Sequence, residues 1–243
     1  MKTVAIIQAH MGSTRLPGKV MCDIEGSSML ARVVRRTRRA RKLDQVVVAC
    51  ATDPVDDVLL PECAKLGVEV FRGSDTDVLD RYLGAASHFQ ATTIVRITSD
   101  CPLIDPEIID QVVAAFEQAG PDYAANILQR TYPRGLDTEV FRLSGLERCW
   151  GEAREKYQRV HVTPYFYQNP DKFRLLNVFG VCDYSPYRWT VDTPEDLEFV
   201  RRIYRHLGSD ETFSWIKVLA LVRGNPELLE LNRQVQQKSL HEG

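Results

Sequence analysis

The chain has 243 residues, of which 44% are hydrophobic, and it carries a formal net charge of −2. This length is sufficient to bury the core of one large α/β domain. The 31 basic and 33 acidic residues nearly balance, which argues against a general nucleic-acid or membrane-surface binder. We therefore expect small-molecule substrates as partners.

The cysteines and the lack of long apolar runs bear on the cellular compartment. The six cysteines are scattered, and none forms a C-x-x-C pair. This pattern is typical of reduced thiols in a cytoplasmic protein. No apolar run approaches the ~18 residues of a transmembrane helix, and the N-terminus lacks a signal-peptide pattern. We expect a soluble, untargeted protein.

The first half of the chain alternates between strand-like and helix-like patterns. Apolar runs occupy Thr3–Ile7, Gln45–Cys50, Val68–Phe71 and Thr92–Thr98. Helical patterns follow them at Ser28–Arg41, Val55–Lys65, Val78–Phe89 and Pro106–Gln118. This alternation predicts a mostly parallel sheet with helices on both faces, and the loops after its strands should converge on one edge, where ligands bind. The basic run 32–42 predicts an amphipathic helix with a solvated basic face.

The pattern changes after Gly120. Shorter strands are predicted at Asp122–Ile127, Thr138–Arg142 and Phe173–Phe179, with helices around Ser144–Tyr157 and Val160–Gln168. A strand at Trp189–Val191, a helix at Pro194–Leu207 and a helical tail from Thr212 to Lys238 follow. We interpret residues 1–238 as a single domain with an insertion at about 128–182 and a helical tail at 208–238, and residues 239–243 as a frayed terminus.

The loop from Gln8 to Lys19, Q-A-H-M-G-S-T-R-L-P-G-K, directly follows the first predicted strand. It is not a Walker A loop, because Pro17 replaces the second glycine of that motif and Val20 replaces its Ser or Thr. Glycines let backbone amides approach a ligand closely, and Arg15 and Lys19 add positive charge beside them. The density of such residues favours a polyphosphate site over an ordinary solvated turn.

Two aspartates, Asp100 and Asp192, each come directly after a predicted strand. The neighbouring Asp105 and Thr193 precede prolines, so both are explained as helix N-caps. No capping role is left for Asp100 or Asp192. Because Mg²⁺ binds through one or two carboxylates together with substrate phosphates, the two aspartates beside a polyphosphate loop predict a magnesium site.

A third group of polar residues lies in the segment Tyr132–Phe141, Y-P-R-G-L-D-T-E-V-F. On a strand, Asp137 and Glu139 point to the same side because they are two residues apart. These carboxylates would suit a cationic amine or a second metal, whereas Arg134 with His161 would suit an anion. An aminophosphonate or an acidic sugar satisfies both. A surface turn with solvated charges is the plainer alternative.

Six stretches resemble, in the same order, the cytidylyltransferase family, which includes the synthetases of CMP-Kdo and CMP-sialic acid. Those similar to the whole family are I-I-Q-A-H-M-G-S-T-R-L-P-G-K-V, S-D-C-P-L-I-D and V-D-T-P-E-D-L-E. Those that resemble its spore coat polysaccharide biosynthesis protein F branch are F-R-G-S-D-T-D-V-L-D-R-Y, Y-P-R-G-L-D-T-E-V-F and H-V-T-P-Y-F. The resemblance runs from Val4 to about Val200. It implies a Rossmann-like nucleotidyltransferase of surface polysaccharide or glycoconjugate biosynthesis that uses CTP and Mg²⁺.

The resemblance also implies roles for individual residues. Arg15 and Lys19 would hold the triphosphate, and Asp100 and Asp192 would carry Mg²⁺. The implied nucleotide-binding residues are Gln8, Ala9, His10, Met11, Gly12, Ser13, Arg15, Lys19, Arg72, Gly73, Ser74 and Ser99. The implied acceptor-binding residues are Tyr132, Arg134, Asp137, Glu139, His161 and Tyr165. In related enzymes the insertion that holds the acceptor contributes to a dimer, so a homodimer is expected.

One residue departs from the family pattern. His10 stands where the family usually has arginine, so it either alters donor binding or acceptor choice, or replaces the arginine without consequence.

The expected reaction is attack of an acceptor oxygen on the α-phosphorus of CTP, with release of pyrophosphate. An ionised acceptor oxygen needs no general base, whereas a sugar hydroxyl would need one, and the sequence offers no clear candidate. Two alternatives remain. One is a glycosyltransferase of similar fold, whose D-x-D spelling occurs at Asp75–Asp77, and the other is a non-catalytic nucleotide-binding protein.

Overall fold

The computed structural model describes residues 2–240, which build an α/β fold around a seven-stranded sheet. Its strands are β1 (Thr3–Gln8), β2 (Gln45–Ala51), β3 (Glu69–Gly73), β4 (Thr93–Thr98), β5 (Tyr123–Ala125), β6 (Glu139–Arg142) and β7 (Leu175–Asn177). The order across the sheet is β3-β2-β1-β4-β6-β5-β7. The neighbours β3, β2, β1 and β4 are parallel, whereas β6 runs antiparallel to both β4 and β5. The mostly parallel α/β sheet predicted from the sequence is confirmed.

Helices connect the strands and form the C-terminal part of the fold. Within residues 2–240 they are α1 (Met29–Thr37), α2 (Leu59–Leu66), α3 (Val78–His88), α4 (Pro106–Ala119), α5 (Leu143–Glu152), α6 (Lys156–His161), α7 (Pro164–Gln168), α8 (Pro194–Leu207), α9 (Trp215–Gly224) and α10 (Glu227–Glu230). The side chains of Asp105 and Thr193 accept hydrogen bonds from backbone amides at the starts of α4 and α8. Both expected N-caps are confirmed.

The apolar side chains form three buried clusters, which fix the layers. Val48 lies in the cluster between the sheet and α1, α2 and α4. Phe141 lies in the cluster on the opposite face, under α3, α5 and α7. Trp189 lies in a third cluster that α8 and α9 cover. Burying one large apolar side chain contributes about 1.5–3 kcal/mol, so these clusters stabilise the packing of the helices on the sheet.

The predicted helices of the insertion are interrupted. The helix expected at Ser144–Tyr157 ends at Glu152, because Glu155 begins a new helix and forms a capping box with Gln158. The helix expected at Val160–Gln168 is also split, since Val162 has a φ of 71°, outside the helical region.

Two predictions about the last quarter of the chain are wrong. Residues 189–191 form no strand: the Trp189 amide donates to the Arg134 carbonyl and the Val191 amide to the Asp100 carbonyl, which belong to different segments. The tail is helical only as far as Glu230, and residues 235–239 have no regular secondary structure. Of the terminus expected to be frayed, residues 241–243 lie outside the described part of the chain.

The basic helix α1 does not present a fully solvated basic face. Arg32 and Arg36 are buried, and their guanidinium groups donate hydrogen bonds to backbone carbonyls. Among the acceptors are the carbonyls of Ser209 and Phe213, in the segment between α8 and α9. This segment, which is distant in sequence, covers the basic face of α1. The residue pattern of α1 alone could not predict that burial.

The structure also bears on the cysteines and on the expected absence of transmembrane helices. All six cysteines are free, and Cys50, Cys63, Cys101 and Cys149 are buried. In the part of the chain that the structure describes, no helix is both long and apolar enough to cross a membrane.

Candidate active site

The carboxyl ends of β1 and β4 bring distant polar segments together. These strands are neighbours in the sheet, and the Ser99 amide donates to the Gln8 carbonyl at 3.1 Å just beyond them. The segment before α8 joins the same edge, because the Val191 amide donates to the Asp100 carbonyl at 2.8 Å. The two aspartates predicted from separate turns are thereby placed side by side.

Lys19 links the two aspartates. Its ammonium Nζ lies 2.9 Å from Asp100 Oδ2, 2.9 Å from Asp192 Oδ1 and 2.8 Å from the Val191 carbonyl oxygen. Burial opposes the charge of Lys19, but the two carboxylates outweigh it and raise the pKa of the ammonium. Burial likewise opposes the charge of Asp100, yet Lys19 and a hydrogen bond from Thr98 lower its pKa to about 2. All three groups are therefore charged at neutral pH.

Asp192 meets two further cations. Arg15 Nη2 lies 2.9 Å and Arg188 Nη2 2.7 Å from Asp192 Oδ2. Arg188 is held in turn by Asp196, through an Nε to Oδ1 distance of 2.9 Å. The sequence reasoning missed Arg188 and Asp196. The sequence could have identified Asp196 as the N3 residue of a capping box. It could not have shown that Asp196 pairs with Arg188, because that contact depends on how the chain turns between the two residues.

The positions of Asp100 and Asp192 fit a magnesium ion. Both carboxylates converge on the single position that the Lys19 ammonium holds, so they already share one cation. Hard carboxylate oxygens suit Mg²⁺, which completes its shell with phosphate oxygens and water. No group of three or more His, Cys, Asp or Glu side chains able to hold a metal occurs within residues 2–240. A metal held by these two carboxylates would need its further ligands from a substrate or from water.

Two cavities adjoin at this edge of the sheet. One, of about 440 Å³, lies over the Gln8–Lys19 loop, and we call it the nucleotide cavity. The other, of about 480 Å³, extends toward the insertion, and we call it the acceptor cavity. The wall common to both consists of Gln8, Arg15, Asp100, His161, Asp192 and Lys238. The aspartates thus lie at the junction where two bound substrates would meet.

The nucleotide cavity contains most of the residues expected from the loop. His10, Gly12 and Ser13 line it, while Ala9 is fully buried behind them. The backbone of Met11 is fixed by a hydrogen bond, because its amide donates to Asp56 Oδ1 at 2.7 Å. The family resemblance also implies that Asp77, Asp80 and Arg81 support the wall near the base, and of these Arg81 lines the cavity. The lining residues that the prediction did not include are Thr14, Asp75, Thr76, Val78, Lys156, Val160 and Lys238.

His10 has an environment that disfavours its charge. Burial and, after it, the positive charge of Arg81 lower the pKa of the imidazole, although Asp56 opposes this. His10 is therefore neutral at pH 7. An arginine at the same place would stay charged beside Arg81.

The other predicted nucleotide residues lie behind the cavity. Arg72 is outside its lining: the guanidinium pairs with Asp57 at 2.7 Å and donates to the Ala51 carbonyl at 3.2 Å. A Cβ on Gly73 would lie 2.9 Å from the Arg81 side chain, so glycine is required for close packing there. Ser74 accepts a hydrogen bond from Arg81 through its carbonyl at 2.9 Å. These residues shape the wall through Arg81, and Ser99 does not line either cavity.

The two carboxylates predicted to bind the acceptor already have cationic partners, and of the two only Asp137 lines the acceptor cavity. Arg130 binds Asp137 with both terminal nitrogens, at 2.5 and 2.8 Å. Glu139 is buried and pairs with Arg96 from the neighbouring strand β4, and it accepts a hydrogen bond from the Tyr123 hydroxyl at 2.5 Å. The charges of Asp137 and Glu139 are therefore neutralised within the protein.

Arg134 contrasts with these paired residues. It lines the acceptor cavity, and within residues 2–240 its guanidinium has neither an ion-pair partner nor a hydrogen bond. Burial, followed by the positive charges of Arg130 and Arg188, lowers the pKa of Arg134. A free guanidinium repelled by neighbouring cations is the group that an anionic ligand would stabilise most.

His161 lies between the cavities, whereas the two predicted tyrosines do not reach them. The Nε2 atom of His161 is buried and has no hydrogen-bond partner among residues 2–240, and burial and Arg96 lower the pKa of the ring. Tyr132 is packed in the third apolar cluster, and Tyr165 donates its hydroxyl hydrogen to Glu152 at 2.7 Å. The structure thus gives neither tyrosine direct access to a ligand in the acceptor cavity.

Comparison with known proteins places this arrangement in context. A family model described as Cytidylyltransferase matches residues 4–225. The chain is similar to an uncharacterized protein of Methanocaldococcus jannaschii, 36% identical over 100% of this chain and 99% of that protein. It is also similar to spore coat polysaccharide biosynthesis protein SpsF of Bacillus subtilis, 33% identical over 91% of this chain and 94% of the relative. A cytidylyltransferase structure from Leptospira borgpetersenii has a TM-score of 0.90 and 36% identity, covering 98% of this chain and 99% of that one.

Proposed function

The chain belongs to the cytidylyltransferase family, and we propose that it transfers CMP from CTP to an anionic acceptor with release of pyrophosphate. The observation that carries this proposal is the placement of Lys19, Asp100 and Asp192 at the junction of two cavities. A nucleotide in one cavity and an acceptor in the other would have their reacting atoms beside these three charges. Proximity of this kind is the main contribution of an enzyme to phosphoryl transfer.

In the proposed reaction an acceptor oxygen forms a bond to the α-phosphorus of CTP, and the bond from that phosphorus to the bridging oxygen of pyrophosphate breaks. Mg²⁺, held by Asp100 and Asp192, would neutralise negative charge on the phosphates. Arg15 and Lys19 would stabilise the charge that develops on the departing pyrophosphate.

The ion pairs around Asp192 would keep these cations in place before the substrate arrives. Arg15 has unused N–H groups besides those directed at Asp192, because a guanidinium has five donors. The phosphates of CTP would therefore add to an arranged set of charges. Arg188, fixed by Asp196, would keep Asp192 oriented during this exchange.

We propose that the acceptor is an acidic sugar, a phosphonate or a phosphate. Free Arg134 supports an anion, whereas Asp137 and Glu139 are already paired with arginines and give little support to an amine or a second metal. An ionised oxygen of such an acceptor could attack without a general base. The name of the Bacillus relative suggests a role in surface polysaccharide biosynthesis, and we extend the proposal to that class of pathway and to a homodimer formed through the insertion.

The glycosyltransferase alternative gains no support from the D-x-D spelling at Asp75–Asp77. Asp77 caps α3 and pairs with Arg159 at 2.5 Å. Asp75 accepts a hydrogen bond from the Asp53 amide at 2.9 Å. Both carboxylates therefore accept hydrogen bonds from backbone amides and have a structural role.

The decisive experiment is a panel of nucleotides and acceptors in which pyrophosphate release is measured. We expect release with CTP and Mg²⁺ in the presence of an acidic sugar, a phosphonate or a sugar phosphate, and little with ATP, GTP or UTP. A neutral hexose serves as the acceptor control. Absence of release with every anionic acceptor, although CTP binds, would sink the proposal of an anionic acceptor. Absence of CTP binding would also overturn the proposed donor.

A further inference from the structure

The C-terminal segment lies across the junction of the two cavities. We call residues 236–240 the strap. Arg15 Nη1 donates to the Gln236 carbonyl at 3.1 Å, and Arg188 Nη1 donates to Gln237 Oε1 at 2.8 Å. The strap therefore binds the same two arginines that bind Asp192, although more than 200 residues separate Arg15 from it in sequence.

The chain before the strap is firmly anchored. Asn232 is buried, and its side-chain amide donates to the Arg188 carbonyl and to Asp196 Oδ1, both at 3.0 Å. Asp196 itself holds Arg188. The chain that leads into the strap is thus fixed by the same polar network that orients Asp192. This network sets the position of the strap relative to Asp192.

The strap brings one positive charge, Lys238, to the site. Its Nζ donates to Thr14 Oγ1 at 3.1 Å, within the loop expected to hold the triphosphate, and Lys238 lines both cavities. Within the described residues the ammonium has no carboxylate partner. An ammonium has three N–H donors, so donors remain beside a loop that already presents Arg15.

We infer that Lys238 is a substrate-binding residue that contacts the phosphates of CTP and that the strap delivers it. This inference rests on the proposed function. Lys19, Arg15 and Arg188 are bound to carboxylates of the site, whereas the exposed Lys238 has no carboxylate partner within residues 2–240 and its charge is available to a ligand. Lysine carries its ammonium on a flexible four-carbon stem, so Lys238 can direct its remaining donors to phosphates bound beside Thr14.

The inference is tested by the affinity for CTP, measured by calorimetry with Mg²⁺ and without acceptor. We expect Lys238→Ala to weaken CTP binding about tenfold, because a charge-assisted hydrogen bond is lost. Lys238→Arg should retain most of the affinity. Gln237→Ala, which removes the bond between the strap and Arg188, should weaken binding less than Lys238→Ala. The control is Lys217→Ala, an exposed lysine on α9 outside both cavities, which should bind CTP like the wild type.

Kinetic constants separate this role from a general structural one. The KM for CTP should rise in Lys238→Ala while the KM for the acceptor and the thermal midpoint stay close to those of the wild type. Equal affinity of wild type and Lys238→Ala for CTP, or tighter binding by the variant, would overturn the inference and leave the proposed function standing. A wild type that binds no CTP would overturn both.

Discussion

On the wall that both cavities share, Asp100 and Asp192 are paired with Lys19 and Arg15 at the edge of the sheet. On the acceptor side, Asp137 at the cavity and the buried Glu139 outside its lining are paired with arginines of the surrounding scaffold. The two cavities share a wall and contain similar residue types. The shared wall presents cations that are already bound to carboxylates, whereas Arg134, which lines only the acceptor cavity, has no ion-pair partner within residues 2–240. Carboxylates that are paired with cations occur on both sides. We nevertheless expect their mutation to affect turnover on the nucleotide side and stability on the acceptor side.

The largest expected effect is on turnover, from the nucleotide side. Asp100→Asn should lower kcat/KM about 1,000-fold, because a carboxylate that faces Lys19 and the phosphates is lost. Steady-state pyrophosphate release measures the effect. Asp171→Asn, at an exposed position outside both cavities, is the control and should behave like the wild type. Near-normal turnover of a folded Asp100→Asn protein would contradict the role of this carboxylate.

On the acceptor side, the largest expected effect is on stability. Glu139→Ala leaves Arg96, whose side chain is only 13% exposed, without its partner, and losing one member of a buried pair costs about 3–5 kcal/mol of unfolding free energy. Urea denaturation monitored by circular dichroism gives this difference. Glu147→Ala, an exposed residue of the same insertion, should change stability by less than about 0.5 kcal/mol. A fully stable Glu139→Ala protein would show that this pair is not structural.

Arg134→Ala should act on acceptor binding alone. We expect the KM for the anionic acceptor to rise about 10- to 100-fold with the KM for CTP unchanged, because Arg134 lines only the acceptor cavity. Arg154→Ala, which changes an exposed arginine elsewhere in the insertion, provides the comparison. An equal rise in both KM values would mean that the two cavities do not separate the substrates as the geometry indicates.

The smallest expected effect concerns pH and His10. Since burial and Arg81 lower the pKa of His10, the wild type carries a neutral ring at pH 7 and gains a positive charge only as the pH falls below 6.5. CTP phosphates favour that charge, so from pH 7 to pH 5 the CTP affinity of the wild type should increase severalfold relative to that of His10→Arg, whose charge is constant. His10→Arg should lack this component, while His206→Asn, which alters an exposed histidine, should keep it. Identical pH profiles for wild type and His10→Arg would exclude His10 from phosphate binding.

The sequence predicted the nucleotide side better than the acceptor side for a physical reason. Parallel strands end at one edge, so polar residues after β1 and β4 had to meet, and Asp100 could be placed near Lys19 from strand pattern alone. No comparable rule connects Asp137 with Arg130 or Glu139 with Arg96. Those pairings depend on the register between β4 and β6 and on the path of a loop.

Side-chain partners also explain why some residues predicted to bind a ligand do not line either cavity. Arg72 looked suited to a nucleotide, but its charge is satisfied by Asp57 behind the wall. Tyr132 and Tyr165 belong to motifs of the family, yet their rings are packed in apolar clusters. A motif specifies residue identity, and packing decides which of its residues face the ligand.

By itself the sequence determined the α/β class, the strand that leads into the Gln8–Lys19 loop, the N-caps that left Asp100 and Asp192 unexplained, and the family. These follow from local periodicity, from proline and capping chemistry, and from residue order. Only the tertiary structure decided that Lys19 links the two aspartates, that Arg134 has no ion-pair partner in the described part of the chain and that Lys238 donates a hydrogen bond to Thr14. Those contacts join segments tens to hundreds of residues apart, and long-range packing, not local preference, brings such segments together.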